Sequence, residues 1–119
     1  MVSDMTTKIR SQHLEQQIAR IKRNLLALGA LHPGSLTRQY NVCGKAGCRC
    51  KDRAHPRRHG PYYKVSYVYR GRFTSRFVPR QEAKTVWAEL ANYKRMRTLI
   101  EAWVGLAIRL AKAKRQSAA

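Results

Sequence analysis

All three cysteines of the chain and two of its four histidines fall between Cys43 and His59, in the order C-x4-C-x-C-x4-H-x3-H. A fold that serves these residues must bring chain positions far apart in sequence onto one point, because thiolates and imidazoles are the donors a tetrahedral zinc ion takes. Gly44 and Gly47 lie between the first two sulfurs, where the backbone has to turn back tightly and glycine reaches angles other residues avoid. A disulfide framework is disfavoured: the cysteine count is odd, and a Cys-x-Cys bridge is strained. The spacing is neither the C-x2-C pair of a zinc ribbon nor the usual retroviral knuckle. Cys43, Cys48 and Cys50 are therefore expected to be zinc ligands. His59, which enters a strand through Gly60-Pro61, is the expected fourth, and His55, before Pro56, is the alternative. The competing reading is three reduced thiols in a basic loop without metal.

Charge narrows the partners. In 119 residues there are 25 Lys and Arg against 6 Asp and Glu, a formal net charge of +19, which favours a polyanion. Residues 36–80 hold twelve of the basic groups and one acid, Asp52, so the excess centres on the cysteine segment and the stretch just C-terminal to it. The chain has no apolar run of spanning length and no lipidation pattern, and its polar start, Met1-Val2-Ser3-Asp4, is unlike a signal peptide. A cytoplasmic protein that does not enter the membrane is expected, with a size suited to one small domain, 1–119.

The remaining pattern predicts an α+β fold. Leu14, Ile18, Ile21, Leu25 and Leu28 recur at steps of four and three and predict a helix over 6–28, ended near Gly29. The breaker cluster His32-Pro33-Gly34-Ser35 separates it from a cysteine and histidine loop over 36–60. Tyr63, Val65, Tyr67 and Tyr69 alternate with Lys64, Ser66 and Val68, and Phe73, Ser75 and Phe77 repeat the alternation, which predicts a β-hairpin over 61–79. Pairing Tyr69 with Phe73 and Val65 with Phe77 requires a three-residue loop, Arg70-Gly71-Arg72. It places the aromatic rings on one face and Lys64 and Arg76 on the other. From Arg80 to Arg115 no proline occurs, and a long helix over 80–115 is expected. That helix carries two apolar rows. One runs Val86, Leu90, Tyr93, Ile100, Val104, Ala107 and Ala111; the other runs Met96, Leu99, Trp103, Leu106 and Leu110. Two rows need two partners, so either both fold back on the chain or a second copy covers one. A homodimer through Leu99, Trp103, Leu106 and Leu110 is the expectation.

The blocks Leu31-His32-Pro33-Gly34-Ser35-Leu36, Cys43-Gly44-Lys45-Ala46-Gly47-Cys48-Arg49-Cys50 and His59-Gly60-Pro61-Tyr62-Tyr63 resemble a family of small basic bacterial and archaeal proteins. The resemblance covers roughly Leu31 to Trp103. The family is a domain of unknown function often carried beside transposase genes. It implies a mobile-element accessory or regulatory protein in which Cys43, Cys48, Cys50 and His59 fill the motif positions, and it supplies no catalytic residue.

Three functional classes compete. In the first, zinc stiffens the loop and a basic surface binds DNA or RNA phosphates. Its contacts are Lys45, Arg49, Lys51, Arg53, Arg57 and Arg58 from the loop, extended by Lys64, Arg70, Arg72 and Arg76, with Tyr62 able to stack on unpaired bases. Tyr63 is more simply hairpin core. In the second, the long helix is an adaptor that docks on a larger nucleoprotein enzyme such as a transposase, through Trp87, Trp103 and Leu106. Enzyme chemistry, the third, is not expected: Asp4, Glu15, Asp52, Glu82, Glu89 and Glu101 are scattered, and two-metal phosphodiester cleavage needs converging carboxylates. A zinc site closed by four protein ligands also leaves no open position for a substrate, and the deaminase signature is absent.

Overall fold

A computed structural model describes the backbone of residues 2–118 and the side chains of residues 5–115. The order is helix α1 (Val2–Leu26), strand β1 (Ser35–Asn41), a 3-10 turn (Arg49–Lys51), strand β2 (His59–Tyr69), strand β3 (Arg72–Val78), a second 3-10 turn (Arg80–Glu82) and helix α2 (Ala83–Ala118). The fold is α+β, as the sequence predicts. Two compact units divide it, one spanning Leu31–Ala91 and the other formed by the chain up to Ala30 and from Asn92 onward, with α2 contributing to both.

The unit Leu31–Ala91 is an antiparallel sheet in the order β1-β2-β3. Val65 in the central strand is wholly buried, and with Val78 of β3 and Val86 and Leu90 of α2 it makes the core, against which Leu36 and Tyr63 pack. Val86 and Leu90 lie four residues apart, so one face of α2 presents both to the sheet. Burying each such side chain contributes about 1.5–3 kcal/mol, a modest sum for a unit of this size, which is why a further staple is useful here.

Two features of the sheet differ from expectation. Residues 35–41, expected as breaker and loop, instead form β1, paired with β2 so that Leu36 lies opposite Val65 and Asn41 opposite His59. The hairpin closes through a two-residue turn rather than three, with Tyr69 opposite Arg72, Val68 opposite Phe73 and Lys64 opposite Phe77. Arg70 (φ 51°) and Gly71 (φ 76°) both occupy left-handed angles, the geometry that matches the twist of flanking strands. A one-residue shift of register moves every side chain to the other face. Phe73 and Phe77 therefore leave the aromatic inner face and are 67% and 64% exposed, while Lys64 shares their side of the sheet.

The entry to the sheet is fixed by the segment before β1. The His32 amide donates to the Glu89 carbonyl at 3.1 Å, its ring Nδ1 donates to the Pro33 carbonyl at 2.6 Å, and the ring meets Tyr67 edge-on at 4.8 Å. His32, given no role from sequence, thus ties this loop to α2 and β2. Gly34 comes next but one, with φ 104°.

In the other unit, α1 and the later part of α2 run antiparallel, since Leu14 and Ala113 line one crevice while the Lys22 ammonium sits 5.1 Å over the Trp103 ring. Leu14 and Ile18 are buried, as is Ala113. Asn92 Nδ2 donates to the Ala30 carbonyl at 2.8 Å, and Lys114 pairs loosely with Glu15 at 3.8 Å. Leu99, Trp103, Leu106 and Leu110 are half-buried, and of this row Trp103 meets α1 through Lys22. Of the other row, Ile100 and Val104 stay exposed, as does Ile108 beside it.

Candidate metal centre

The four donors predicted from spacing converge. One ligand atom each from Cys43, Cys48, Cys50 and His59 lies within 4.8 Å of every other. The Cys43 and Cys50 sulfurs are 3.6 Å apart, and Cys48 Sγ is 3.3 Å from His59 Nε2. Sulfurs bound tetrahedrally at about 2.3 Å from a zinc-sized ion stand roughly 3.8 Å apart, so the quartet can hold such an ion with small adjustments. His55 is exposed and outside the group, which resolves the choice of imidazole in favour of His59.

Local structure explains the convergence. Cys43 lies two residues past the end of β1, and His59 opens β2, so the pairing of Asn41 with His59 brings the two ends of the site together. Between them the chain winds into the 3-10 turn that carries Cys50, with the Cys48 amide donating to the Lys45 carbonyl at 3.4 Å and the Lys51 amide to the Cys48 carbonyl at 3.0 Å. The Cys43 amide donates to Cys50 Sγ at 3.4 Å, a bond that favours the thiolate. Gly47 adopts φ 77°, whereas Gly44 does not need a positive angle.

The thiols are unequal. The Cys50 backbone amide, then the Cys43, His59 and Cys50 side chains, lower the Cys48 thiol from 9.0 to about 6. Burial pushes the Cys50 thiol up. A lowered folded value favours the fold most above the thiol's ordinary range and loses that contribution as pH falls through about 6. In metal-stripped protein at neutral pH, iodoacetamide is expected to modify Cys48 well before Cys50. Peptide mass spectrometry that found equal rates would contradict this ordering.

The basic residues named from sequence fall in two groups, six in the loop that carries the ligands and four along the hairpin of β2 and β3. Lys45, Arg49, Lys51, Arg53, Arg57 and Arg58 are all exposed, as are Arg70, Arg72 and Arg76, while Lys64 is half-buried. None forms an ion pair among the described residues, where the one pair found is Lys114 with Glu15. The Arg57 amide donates to the Arg49 carbonyl at 3.0 Å, which holds the Arg57-Arg58 segment against the cysteine turn. Asp52, the single acid of this region, accepts from the Ala54 amide at 3.0 Å. Arg70 lies 5.3 Å over the Tyr69 ring, and Tyr62 is 42% exposed. The surface rings that sequence reasoning missed are Phe73 and Phe77. A two-residue Arg70-Gly71 turn was the signal that would have exposed them.

No curated protein and no solved structure matches the chain. Residues 11–87, which run from α1 through all three strands and the four converging ligands into α2, match the family model described as a domain of unknown function (DUF6788), and the chain belongs to that family.

Proposed function

We propose that the chain is a zinc-stabilised nucleic-acid-binding protein of the cytoplasm, a binding protein rather than an enzyme. The observation that carries this reading is the set of six exposed Lys and Arg side chains, without carboxylate partners among the described residues, in the same loop that carries the Cys3His quartet. A donor set of three sulfurs and one imidazole suits zinc, and cytoplasmic thiols stay reduced for it. Bound zinc supplies a rigid cross-link, and the residues that hold it are Cys43, Cys48, Cys50 and His59. With the loop backbone held, each long basic side chain loses less freedom on meeting a phosphate. Among the described residues no helix is long and apolar enough to cross a membrane, and a polyanion in solution is the partner the charge favours.

The test is fluorescence anisotropy with labelled DNA and RNA at physiological and doubled salt, with and without chelator. Arg57→Ala with Arg58→Ala should weaken binding about tenfold and lower the magnitude of the salt slope by about 2, with metal content unchanged. An unaltered slope would remove these two arginines from the interface. Binding retained at doubled salt and lost with the metal supports the metal-held surface. Loss of all binding regardless of metal favours the second reading, an adaptor whose contacts would be among Trp87, which is 62% exposed, Trp103 and Leu106. Within either reading, service to a mobile-element enzyme such as a transposase rests on the resemblance of the three sequence blocks.

A further inference from the structure

The hairpin register leaves an apolar face in a strongly basic unit. On the side of the sheet away from Val65, Phe73 and Phe77 are 67% and 64% exposed, Val68 is 60% exposed and Tyr62 is 42% exposed. Exposed apolar side chains grouped on one face of a sheet mark binding surfaces.

We propose that this face is a stacking platform for unpaired nucleic-acid bases, with Phe73, Phe77 and Tyr62 as the stacking rings and Lys64 as the contact to the connecting phosphates. The proposal rests on the nucleic-acid reading above and names its substrate class as single-stranded. Lys64 stands directly opposite Phe77 in the register and Val68 opposite Phe73. Tyr62 is two residues from Lys64 on the same face, so it is a diagonal neighbour of Phe77, at a backbone separation of about 7–8 Å. Phe73 and Phe77 are four residues apart along β3, or about 13 Å, too far for two bases in mutual contact. The face thus offers two separate stations, Tyr62 with Phe77 and Phe73 with Val68. Between them Ser66 and Ser75 are hydrogen-bonded to each other at 2.8 Å. Tyr62 and Phe77 also wall a cleft of about 420 Å³ with Pro61, Pro79 and Arg80, which is open to a flat ring and carries a cation at its rim.

Charge selects the occupant. From residue 36 to residue 80 the chain has twelve basic groups and one acid, and Lys64 has no ion pair among the described residues. A strand with phosphates along one side and free bases along the other complements a face of exposed rings that carries Lys64 among them and Arg80 at its cleft. A duplex has its bases already stacked and offers nothing to Phe73 or Phe77.

The experiment compares labelled oligothymidylate and oligouridylate with a duplex of equal length, for the full chain and for variants with Phe73 and Phe77 both replaced. Both rings are exposed, so Phe73→Ala with Phe77→Ala should fold as the parent does, which circular dichroism checks. Expected are a tenfold or greater loss of affinity for the single strands, little change for duplex and an unchanged salt slope. Phe73→Tyr with Phe77→Tyr should retain binding, and Phe73→Leu with Phe77→Leu, apolar without stacking, should lose it. Equal losses on single strand and duplex, or no loss on either, would overturn the platform while leaving nucleic-acid binding intact. Failure of the parent to bind any nucleic acid at physiological salt would overturn both. Retention by the Leu variant, or conversion of a dimer to a monomer by the Ala variant in sedimentation, would assign the face to a protein surface and overturn the proposal.

Discussion

Cys48→Ser is expected to release the bound ion, taking metal content from one per chain to none, and to weaken nucleic-acid binding by at least tenfold. A serine hydroxyl is a poor substitute for a thiolate, and the Cys48 thiol is held well below its ordinary range, at about 6. What leaves with the ion is large. Structural zinc contributes apparent binding free energies of about 10–16 kcal/mol in small zinc-binding peptides, whereas a hydrogen bond such as that from the Cys43 amide to Cys50 Sγ contributes on the order of 1 kcal/mol. The four buried side chains of the core, Val65, Val78, Val86 and Leu90, are too few to absorb a loss of that scale. Metal analysis, with thermal melting of parent and variant in parallel, reads the outcome. His55→Ala should keep its ion and melt as the parent does. Metal retained in Cys48→Ser, or lost in His55→Ala, would overturn the ligand assignment.

Gly34→Ala should destabilise the sheet unit by on the order of 3 kcal/mol. Gly34 has φ 104°, and a Cβ there would run into the Ser66 carbonyl oxygen and come within 2.7 Å of Tyr67 Cβ. The obstruction is β2 itself, which cannot move without disturbing Val65. Relief would come from lifting β1 away, and with β1 goes the placement of Cys43. Gly44→Ala is the matched control, because a Cβ at that position meets nothing within 4 Å, and a change within about 0.5 kcal/mol is expected. Denaturant unfolding monitored by far-ultraviolet circular dichroism separates the two. If Gly34→Ala unfolds within about 1 kcal/mol of the parent, not far from the range of ordinary surface substitutions, the close approach of β1 to β2 is wrong.

How legible these elements are in the sequence depends on how local their causes are. The quartet Cys43, Cys48, Cys50 and His59 can be named from spacing because ligand chemistry allows few residue types and the chain between them is short. Both helices show in their apolar periodicity. Strand β1 does not, since Ser35–Asn41 presents only Leu36 and Tyr40 as large apolar side chains and becomes a strand by pairing with β2. The hairpin register fails on one residue. Arg70 in a left-handed conformation is uncommon for a residue with a Cβ, so a turn centred on Gly71 is the expectation, and the resulting shift hides Phe73 and Phe77 on the inner face. The two rows of α2 are visible, but periodicity does not say which row meets α1. Trp103 under Lys22 settles that within the helical unit, while Val86 and Leu90, at the other end of the helix, belong to the sheet.

The pairing of Asn41 with His59 bears on the order in which the sheet can assemble. Strands β2 and β3 meet across two residues, a contact formed by local search, whereas β1 must find β2 across residues 42–58. Closing a longer loop costs about 0.6 kcal/mol for each doubling of its length, and distant pairings slow folding. An ion held by Cys43 and His59, as proposed above, would tie the ends of that connection together and shorten the search for the distant pairing.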